Sequence, residues 1–261
     1  MKKHVFVMVP LFVIFATAGG FLRSGAEMDM NEKGLASRVG DNEVAFIFLG
    51  YSGVIIKTPK GTILVDPAEL LEAAELDALK SGGLGLVLFT HSHGDHFNAN
   101  AALEIFKATG APVVAESSIA RSLMARIPSS KLTNAVPGKT YTVGEFTVNA
   151  IKGIHIGPIC LFQIKVGGLS IFHGGDSDYV PVKDYPSDLA FLPTGNPSPT
   201  ASPEAAFKMA ADLKPSVIVA IHGSAAESKE FERKIKENMP NSNVIIPVPH
   251  AIKTIILKKG S

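Results

Sequence analysis

Four side chains that can bind metal ions lie within six consecutive residues of this chain. They belong to the segment Thr90-His91-Ser92-His93-Gly94-Asp95-His96, which holds three of the eight histidines in the sequence. Imidazole and carboxylate groups together suit zinc, manganese or iron. One open catalytic zinc typically takes three protein ligands, so four ligands in one loop favour two metal ions.

An apolar stretch, Leu84 to Phe89, precedes this segment and predicts a short buried strand. The end of a strand fixes the backbone, and the loop beyond it can present side chains into a cleft. His91 and His93 are two residues apart, so a locally extended backbone turns both rings to one side. Asp95 and His96 are adjacent in the sequence, so their side chains can point to a neighbouring metal position. The alternative is a solvated polar loop with three unrelated histidines, a coincidence with a probability on the order of 10⁻⁴.

The pattern His91-x-His93-x-Asp95-His96 resembles the signature of the metallo-β-lactamase superfamily. The resemblance runs from about Val44 to the C-terminus, and Leu64-Val65-Asp66-Pro67 resembles the family's first hairpin with its closing Asp. Matching residues also follow downstream in the order that the family expects. The resemblance implies seven ligands for two ions: His91, His93 and His155 for the first, Asp95, His96 and His222 for the second, and Asp176 bridging both.

The same resemblance implies a hydrolase whose catalytic carboxylates are Asp95 and Asp176. Two divalent ions, zinc first with manganese or iron as alternatives, would hold a bridging hydroxide. This hydroxide would attack a lactone, ester or phosphodiester in a small-molecule substrate. Asp66 is expected to hydrogen-bond a liganding histidine from behind. His173 is interpreted as structural, and Tyr179 either as an oxyanion donor or as a packing residue.

Two other functions are compatible with this ligand set. A zinc β-lactamase would agree with the export from the cell that residues 1–18 predict. Such enzymes, however, generally lack a bridging carboxylate at the position of Asp176. A non-catalytic exported metal-binding protein would keep the ligands without turnover. The pattern Ser202-Pro203-Glu204-Ala205-Ala206, followed by Lys214-Pro215, is similar to compact metal-dependent hydrolases related to ascorbate-phosphate lactonase and to phospholipase D-type members. Tyr51 stands where those relatives often have His, and Gly223 stands where Tyr is common. The resemblance therefore does not identify the substrate.

Apolar and alternating stretches predict strands interleaved with helices in both halves of the mature chain. The predicted fold class is therefore α/β, as a four-layer αββα sandwich of two mixed sheets with outer helices, which is the metallo-β-lactamase fold. No strand is predicted between Arg126 and Thr140. The predicted helices are Ala68 to Lys80, Asn98 to Thr109, Ser117 to Arg126, Pro203 to Leu213 and Lys229 to Asn238.

Residues 1–18 have the layout of a secretory signal peptide, with a basic start, an apolar run and the small-residue pattern Ala16-Thr17-Ala18. The apolar run is shorter than the roughly 20 residues that span a bilayer. We therefore expect a periplasmic or secreted protein without a stable membrane anchor after cleavage, and an uncleaved N-terminal anchor is the alternative. Residues 19–42 are predicted to be a linker, and residues 43–261 the hydrolase domain.

Composition and charge narrow the choice of partners. Hydrophobic residues make up 46% of the chain and charged residues 19%, which is typical of a globular protein. The formal net charge is +1, so no basic surface points to a nucleic-acid partner. Cys160 is the one cysteine, which excludes an intrachain disulfide and predicts a small buried hydrophobe. A small-molecule substrate is the expected partner, and the sequence leaves the oligomeric state open.

Overall fold

The computed structural model describes residues 37–257. The predicted signal peptide, residues 1–18, and residues 19–36 of the predicted linker lie outside this range. The five helices of the described range are α1 (Ala73–Gly82), α2 (Ala99–Thr109), α3 (Ser117–Leu123), α4 (Pro203–Leu213) and α5 (Ala225–Asn238). Its fourteen strands are β1 (Glu43–Gly50), β2 (Gly53–Thr58), β3 (Gly61–Val65), β4 (Leu84–Phe89), β5 (Val113–Glu116), β6 (Leu132–Ala135), β7 (Thr140–Val143), β8 (Phe146–Lys152), β9 (Cys160–Val166), β10 (Leu169–His173), β11 (Leu189–Pro193), β12 (Val217–Ile221), β13 (Asn243–Ile245) and β14 (Ile252–Ile256).

The strands form two sheets of seven. The first sheet has the order β14-β1-β2-β3-β4-β5-β6, and the second has the order β13-β12-β11-β10-β9-β8-β7. Each sheet is mixed, because β3 to β6 and β10 to β13 pair in parallel while the remaining pairs are antiparallel. This arrangement confirms the prediction of two mixed sheets.

Three hydrophobic clusters separate the layers of the sandwich. The central cluster joins Phe46 and Leu88 of the first sheet to Phe162 and Phe191 of the second. A second cluster packs the outer face of the first sheet against α1, α2 and α3, and a third packs the second sheet against α4 and α5. Successive side chains of β1 alternate between the first two clusters, as the period of a strand covered on both faces requires. The layers therefore follow the predicted order αββα.

Local hydrogen bonds set where the helices begin. Ser202 caps α4 by accepting from the backbone N–H of Ala205 at 3.1 Å, as predicted. Helix α1 begins five residues later than predicted, because Ala68 has a φ of +43° and cannot continue a right-handed helix. Helix α5 begins four residues earlier than predicted, at a capping box that joins Ser224 to Glu227.

Strand ends at one edge of the sandwich carry the candidate site. In the first sheet, Asp66 follows β3 and the His91–His96 segment follows β4, which is parallel to β3. In the second sheet, Asp176 and His222 follow the carboxyl ends of the parallel strands β10 and β12. The loop that holds His155 joins β8 to β9, and β9 begins beside the end of β10. None of the helices of the described range has the length and apolar composition needed to cross a membrane.

Candidate metal centre

All seven predicted metal ligands lie together in the structure, in two groups. The three-histidine group is His91, His93 and His155, and the four-residue group is Asp95, His96, Asp176 and His222. Within each group the potential ligand atoms lie within 4.8 Å of one another. The chain thus brings residues from position 91 to position 222 to one place.

Asp176 lies between the two groups. Its Oδ1 atom is 3.0 Å from Nε2 of His96 and 3.1 Å from Nε2 of His222. Its Oδ2 atom is 4.0 Å from Nε2 of His155, in the three-histidine group. One buried carboxylate therefore faces both candidate ion positions with different oxygens, as a bridging ligand does.

Hydrogen bonds fix the tautomer of His155. The hydroxyl of Thr200 donates to the backbone carbonyl of Asp176 at 2.7 Å, and the same oxygen lies 2.8 Å from Nδ1 of His155. A carbonyl only accepts, so the single hydroxyl proton is used there and Nδ1 of His155 must be the donor. Nε2 of His155 then keeps its lone pair, 3.0 Å from Nδ1 of His93. Two imidazole nitrogens this close fit two ligands of one ion.

Hydrogen bonds fix the tautomer of His91 as well. Asp66 accepts the hydroxyl proton of Thr90 at 2.5 Å and the backbone N–H of Thr90 at 2.8 Å. The Thr90 oxygen lies 3.1 Å from Nδ1 of His91, which must therefore donate to it. Nε2 of His91 is left with a lone pair, and it is buried without a hydrogen-bond partner.

His96 shows most clearly that the site lacks positive charge. Its Nδ1 donates to Oδ2 of Asp66 at 2.8 Å, which is the hydrogen bond from behind that the sequence predicts for Asp66. Its Nε2 faces Asp176 at 3.0 Å and Asp95 at 3.7 Å, with no well-aligned hydrogen bond. A lone pair aimed at two carboxylates is repulsive unless a cation lies between them, so these residues fit a divalent ion.

The pKa values of the buried groups report the same arrangement. Burial, reinforced by the neighbouring His96, lowers the pKa of His91 to about 3. Burial also opposes a charge on His96, but the carboxylates of Asp176 and Asp66 outweigh it and raise the pKa of His96 to about 10. Burial likewise opposes ionisation of Asp176, yet the imidazoles of His222 and His96 beside its carboxylate hold the pKa of Asp176 well below its ordinary value. Without metal, a proton on His96 supplies the positive charge that an ion would bring.

The position of His222 depends on other parts of the chain that lie very close to its backbone. It has a φ of +44°, and its N–H donates to the carbonyl of Tyr51 at 2.9 Å. Nε2 of His222 lies 3.2 Å from Oδ2 of Asp95. A Cβ atom on the next residue, Gly223, would lie 1.9 Å from Oγ1 of Thr194. A side chain larger than that of glycine therefore does not fit beside His222, which accounts for Gly223 at that position.

Ser52 and His173 hold the loop that carries Asp176. The hydroxyl of Ser52 lies 3.3 Å from Oδ1 of Asp176 and donates to the carbonyl of Gly175 at 3.2 Å. His173 is fully buried, accepts from the N–H of Gly175 at Nδ1 and donates from Nε2 to the carbonyl of Ser52 at 2.9 Å. His173 is thus structural, as predicted, whereas the roles of Ser52, Thr90 and Thr200 are not predicted from the sequence.

Tyr179, His250 and Cys160 lie outside the two groups. The hydroxyl of Tyr179 donates to Asp212 at 3.1 Å, which favours the packing interpretation over the oxyanion one. His250 lies 3.0 Å from a carboxylate oxygen of Glu75 and links the loop before β14 to α1. Cys160 is 1% exposed, which confirms a buried thiol, and burial with the nearby Glu116 raises its pKa to about 12.

Comparisons with known proteins agree with this site. A family model described as a beta-lactamase superfamily domain matches residues 45–222, a range that includes all seven predicted ligands. A UPF0173 metal-dependent hydrolase of Thermococcus kodakarensis is 31% identical over 208 residues, which are 72% of this chain and 90% of the relative. Another from Pyrococcus furiosus is 30% identical over 241 residues, which are 83% of this chain and 97% of the relative.

Solved structures show the same fold. Igni18, described as a novel metallo hydrolase from Ignicoccus hospitalis, superposes with a TM-score of 0.70 at 24% identity, over 83% of this chain and all of the other. YhfI of Bacillus subtilis, a metallo-beta-lactamase fold protein, superposes with a TM-score of 0.62 at 16% identity, over 82% of this chain and all of the other. The family match, the named relatives and the converging ligands lead to one conclusion: the chain belongs to the metallo-β-lactamase superfamily and is a metal-dependent hydrolase.

Proposed function

We propose that this protein is an exported hydrolase that binds two divalent metal ions, with zinc as the first choice, and cleaves a lactone, ester or phosphodiester bond in a small molecule. The position of Asp176 is the observation that carries the proposal. A carboxylate with one oxygen beside each ligand group is what a site for a pair of ions needs, and a single ion would not use it. The sequence of residues 1–18 supports the export part of the proposal.

The residues behind the ligands prepare the site. Asp66, Thr90 and Thr200 accept hydrogen bonds from the outer nitrogens of three imidazoles, so each inner nitrogen faces the site. The inner nitrogens of His91 and His155 keep their lone pairs, and on His96 a metal ion would take the place of the proton. A bound pair of divalent ions would lower the pKa of water towards neutrality and polarise the bond to be cleaved. The rings of these three histidines are thus already oriented for metal ions before any ion binds.

The two predicted catalytic carboxylates differ in exposure. The side chain of Asp176 is 2% exposed and enclosed by the ligand histidines. The side chain of Asp95 is 28% exposed, so a substrate can approach it. In this proposal Asp176 would help to hold both ions, and the carboxylate of Asp95 would accept the proton that water loses when it becomes the attacking hydroxide.

Metal analysis with a substrate panel tests the function. Purified protein is expected to hold two equivalents of metal per chain and to hydrolyse esters, lactones or phosphodiesters in a chelator-sensitive way. Asp176→Ala is expected to abolish activity and lower the metal content. Asp188→Asn is the matched control, because Asp188 accepts a backbone hydrogen bond from Ser170 at the opposite end of β10. Less than one equivalent of metal, or full activity in Asp176→Ala, would overturn the proposal.

A second measurement tests export. N-terminal sequencing of the mature protein is expected to place its first residue just after residue 18. A mature protein that begins at Met1 and stays in the cytoplasm would refute this part and leave the hydrolase part standing. Rapid hydrolysis of a chromogenic cephalosporin would instead favour the zinc β-lactamase.

A further inference from the structure

A cleft of about 500 Å³ opens beside the three-histidine group, with His155 in its wall. The end of β5 and the start of α3 form one side of the cleft, and the loop that joins β8 to β9 forms the other. Its volume falls in the range of small-molecule sites. A substrate whose reacting bond lies at the ligand groups can extend past His155 into this cleft.

The walls of the cleft are mainly apolar. Ala135, Pro137, Ile154, Pro158 and Ile159 contribute to the lining. Ile154 is 52% exposed although it is a large hydrophobic side chain, and it directly precedes His155. Such walls suit a short carbon chain better than a strongly hydrated group.

Two cations, Arg121 and Lys152, also line the cleft. Both are exposed, and within residues 37–257 neither forms a salt bridge. Glu116 is the acidic residue of the lining, but its side chain is buried and accepts from the backbone N–H and the hydroxyl of Ser118 at the start of α3. The cleft therefore presents two unpaired positive charges and a carboxylate that is already occupied.

We propose that this cleft binds an anionic group of the substrate, a carboxylate or a phosphate, which a short apolar segment separates from the bond that is cleaved. The inference rests on the proposed hydrolase function and adds the substrate class. The guanidinium of Arg121 can bind such an anion with two parallel hydrogen bonds, and the ammonium of Lys152 adds a point charge. These two side chains determine specificity and bind the part of the substrate that does not react.

Two matched esters test the inference on the zinc-loaded enzyme. The p-nitrophenyl ester of butyric acid is neutral, and the mono-p-nitrophenyl ester of succinic acid carries a carboxylate where butyrate has a methyl group. The wild type is expected to have the lower KM for the succinate ester. Arg121→Gln combined with Lys152→Gln should raise that KM about tenfold, with kcat within twofold, since two partly exposed charge pairs are lost. The KM for the butyrate ester should change less than twofold.

Arg126→Gln is the matched control, because Arg126 is an exposed arginine five residues beyond Arg121 and outside the lining. It should leave both KM values unchanged. The difference between the esters should shrink as salt is added, since exposed charges are screened. Equal KM values for the two esters in the wild type, or an equal change of both in the double variant, would overturn the inference while the hydrolase function stands.

If neither ester is hydrolysed in a zinc-dependent way, the proposed function fails in this assay and binding tests the cleft separately. Succinate and butyrate are titrated into the zinc-loaded wild type and the double variant, and binding is followed by ligand-detected NMR. Tighter binding of succinate than of butyrate that disappears in the double variant supports the anion site. The same preference in both proteins, or none in the wild type, overturns it.

Discussion

Replacing Asp66 by Asn changes one side-chain atom behind the site and moves the protons of two predicted ligands to their other ring nitrogens. Asp66 is fully buried and accepts three hydrogen bonds, from the backbone and hydroxyl of Thr90 and from Nδ1 of His96. The amide oxygen of Asn can replace one carboxylate oxygen, but an NH₂ group then faces two donors. The hydroxyl of Thr90 can turn and donate to His91, and His96 must move its proton to Nε2. In both rings the inner nitrogen would then hold the single proton of a neutral imidazole, so a metal ion could bind only after that proton returned to the outer nitrogen.

The size of the effect follows from these contacts. Loss of an outer hydrogen-bond partner typically lowers metal affinity about 10- to 100-fold, which is about 1.4–2.8 kcal/mol. Because Asp66 acts on His91 and His96 together, we expect the upper end of that range. Losing hydrogen bonds to a buried carboxylate costs the metal-free fold about 1.5–3 kcal/mol, since bonds to charged groups are the stronger ones.

Zinc affinity is measured by competition with a chromogenic chelator, and the free energy of unfolding by denaturant titration after metal removal. Asp188→Asn is the control for the loss of a carboxylate that accepts a backbone hydrogen bond, and it should bind zinc like the wild type. If Asp66→Asn folds and binds zinc within twofold of the wild type, the argument from histidine tautomers is refuted.

Three further predictions concern a hydroxyl, a glycine and a thiol. Thr200→Val removes the acceptor for Nδ1–H of His155 and should weaken zinc binding about tenfold in the chelator competition. Gly223→Ala should destabilise the fold by about 1–3 kcal/mol in denaturant titration, because its methyl group would overlap Oγ1 of Thr194. Cys160 has its pKa raised from 9.0 to about 12, so native protein at pH 8.5 should resist iodoacetamide and unfolded protein should react. The neutral thiol is favoured in the fold, so its contribution to stability is complete below pH 9.0 and is lost as pH rises towards about 12.

Each of these predictions has a distinct opposing result. Unchanged zinc affinity in Thr200→Val would mean that the proton of His155 is not held by that hydroxyl. Wild-type stability of Gly223→Ala would mean that the backbone beside His222 moves freely. Alkylation of native Cys160 at the rate of unfolded protein would mean that the thiol is accessible in solution.

The two-sheet architecture could be predicted because its strands carry strong local signals. Leu84 to Phe89 is an uninterrupted apolar run, and it forms β4 with the predicted bounds. The missing strand, β6, could not be predicted in this way. Its four residues, Leu132–Ala135, include one buried side chain, and they form a strand because β5 offers a parallel edge to pair with. Long-range pairing, rather than local propensity, creates such a strand.

The predicted ligands differ in how far the sequence alone could place them. His91 to His96 are recognisable from their spacing within one loop, whereas His155 is predicted only by its order in the resemblance to the metallo-β-lactamase superfamily. Thr200 and Ser52 carry no such signal, because they act on residues 45 and 124 positions away in the chain. Single threonine and serine residues are common in loops, so only the folded backbone reveals which hydroxyl supports a ligand.

Anomalous diffraction at the zinc absorption edge tests most directly whether these seven side chains bind two ions. Crystals of the zinc-loaded protein are expected to show two peaks about 3.5–4 Å apart. One should lie among His91, His93 and His155 and the other among Asp95, His96 and His222, with Asp176 between them. A single peak, or zinc bound elsewhere while these seven side chains stay unliganded, would contradict the account.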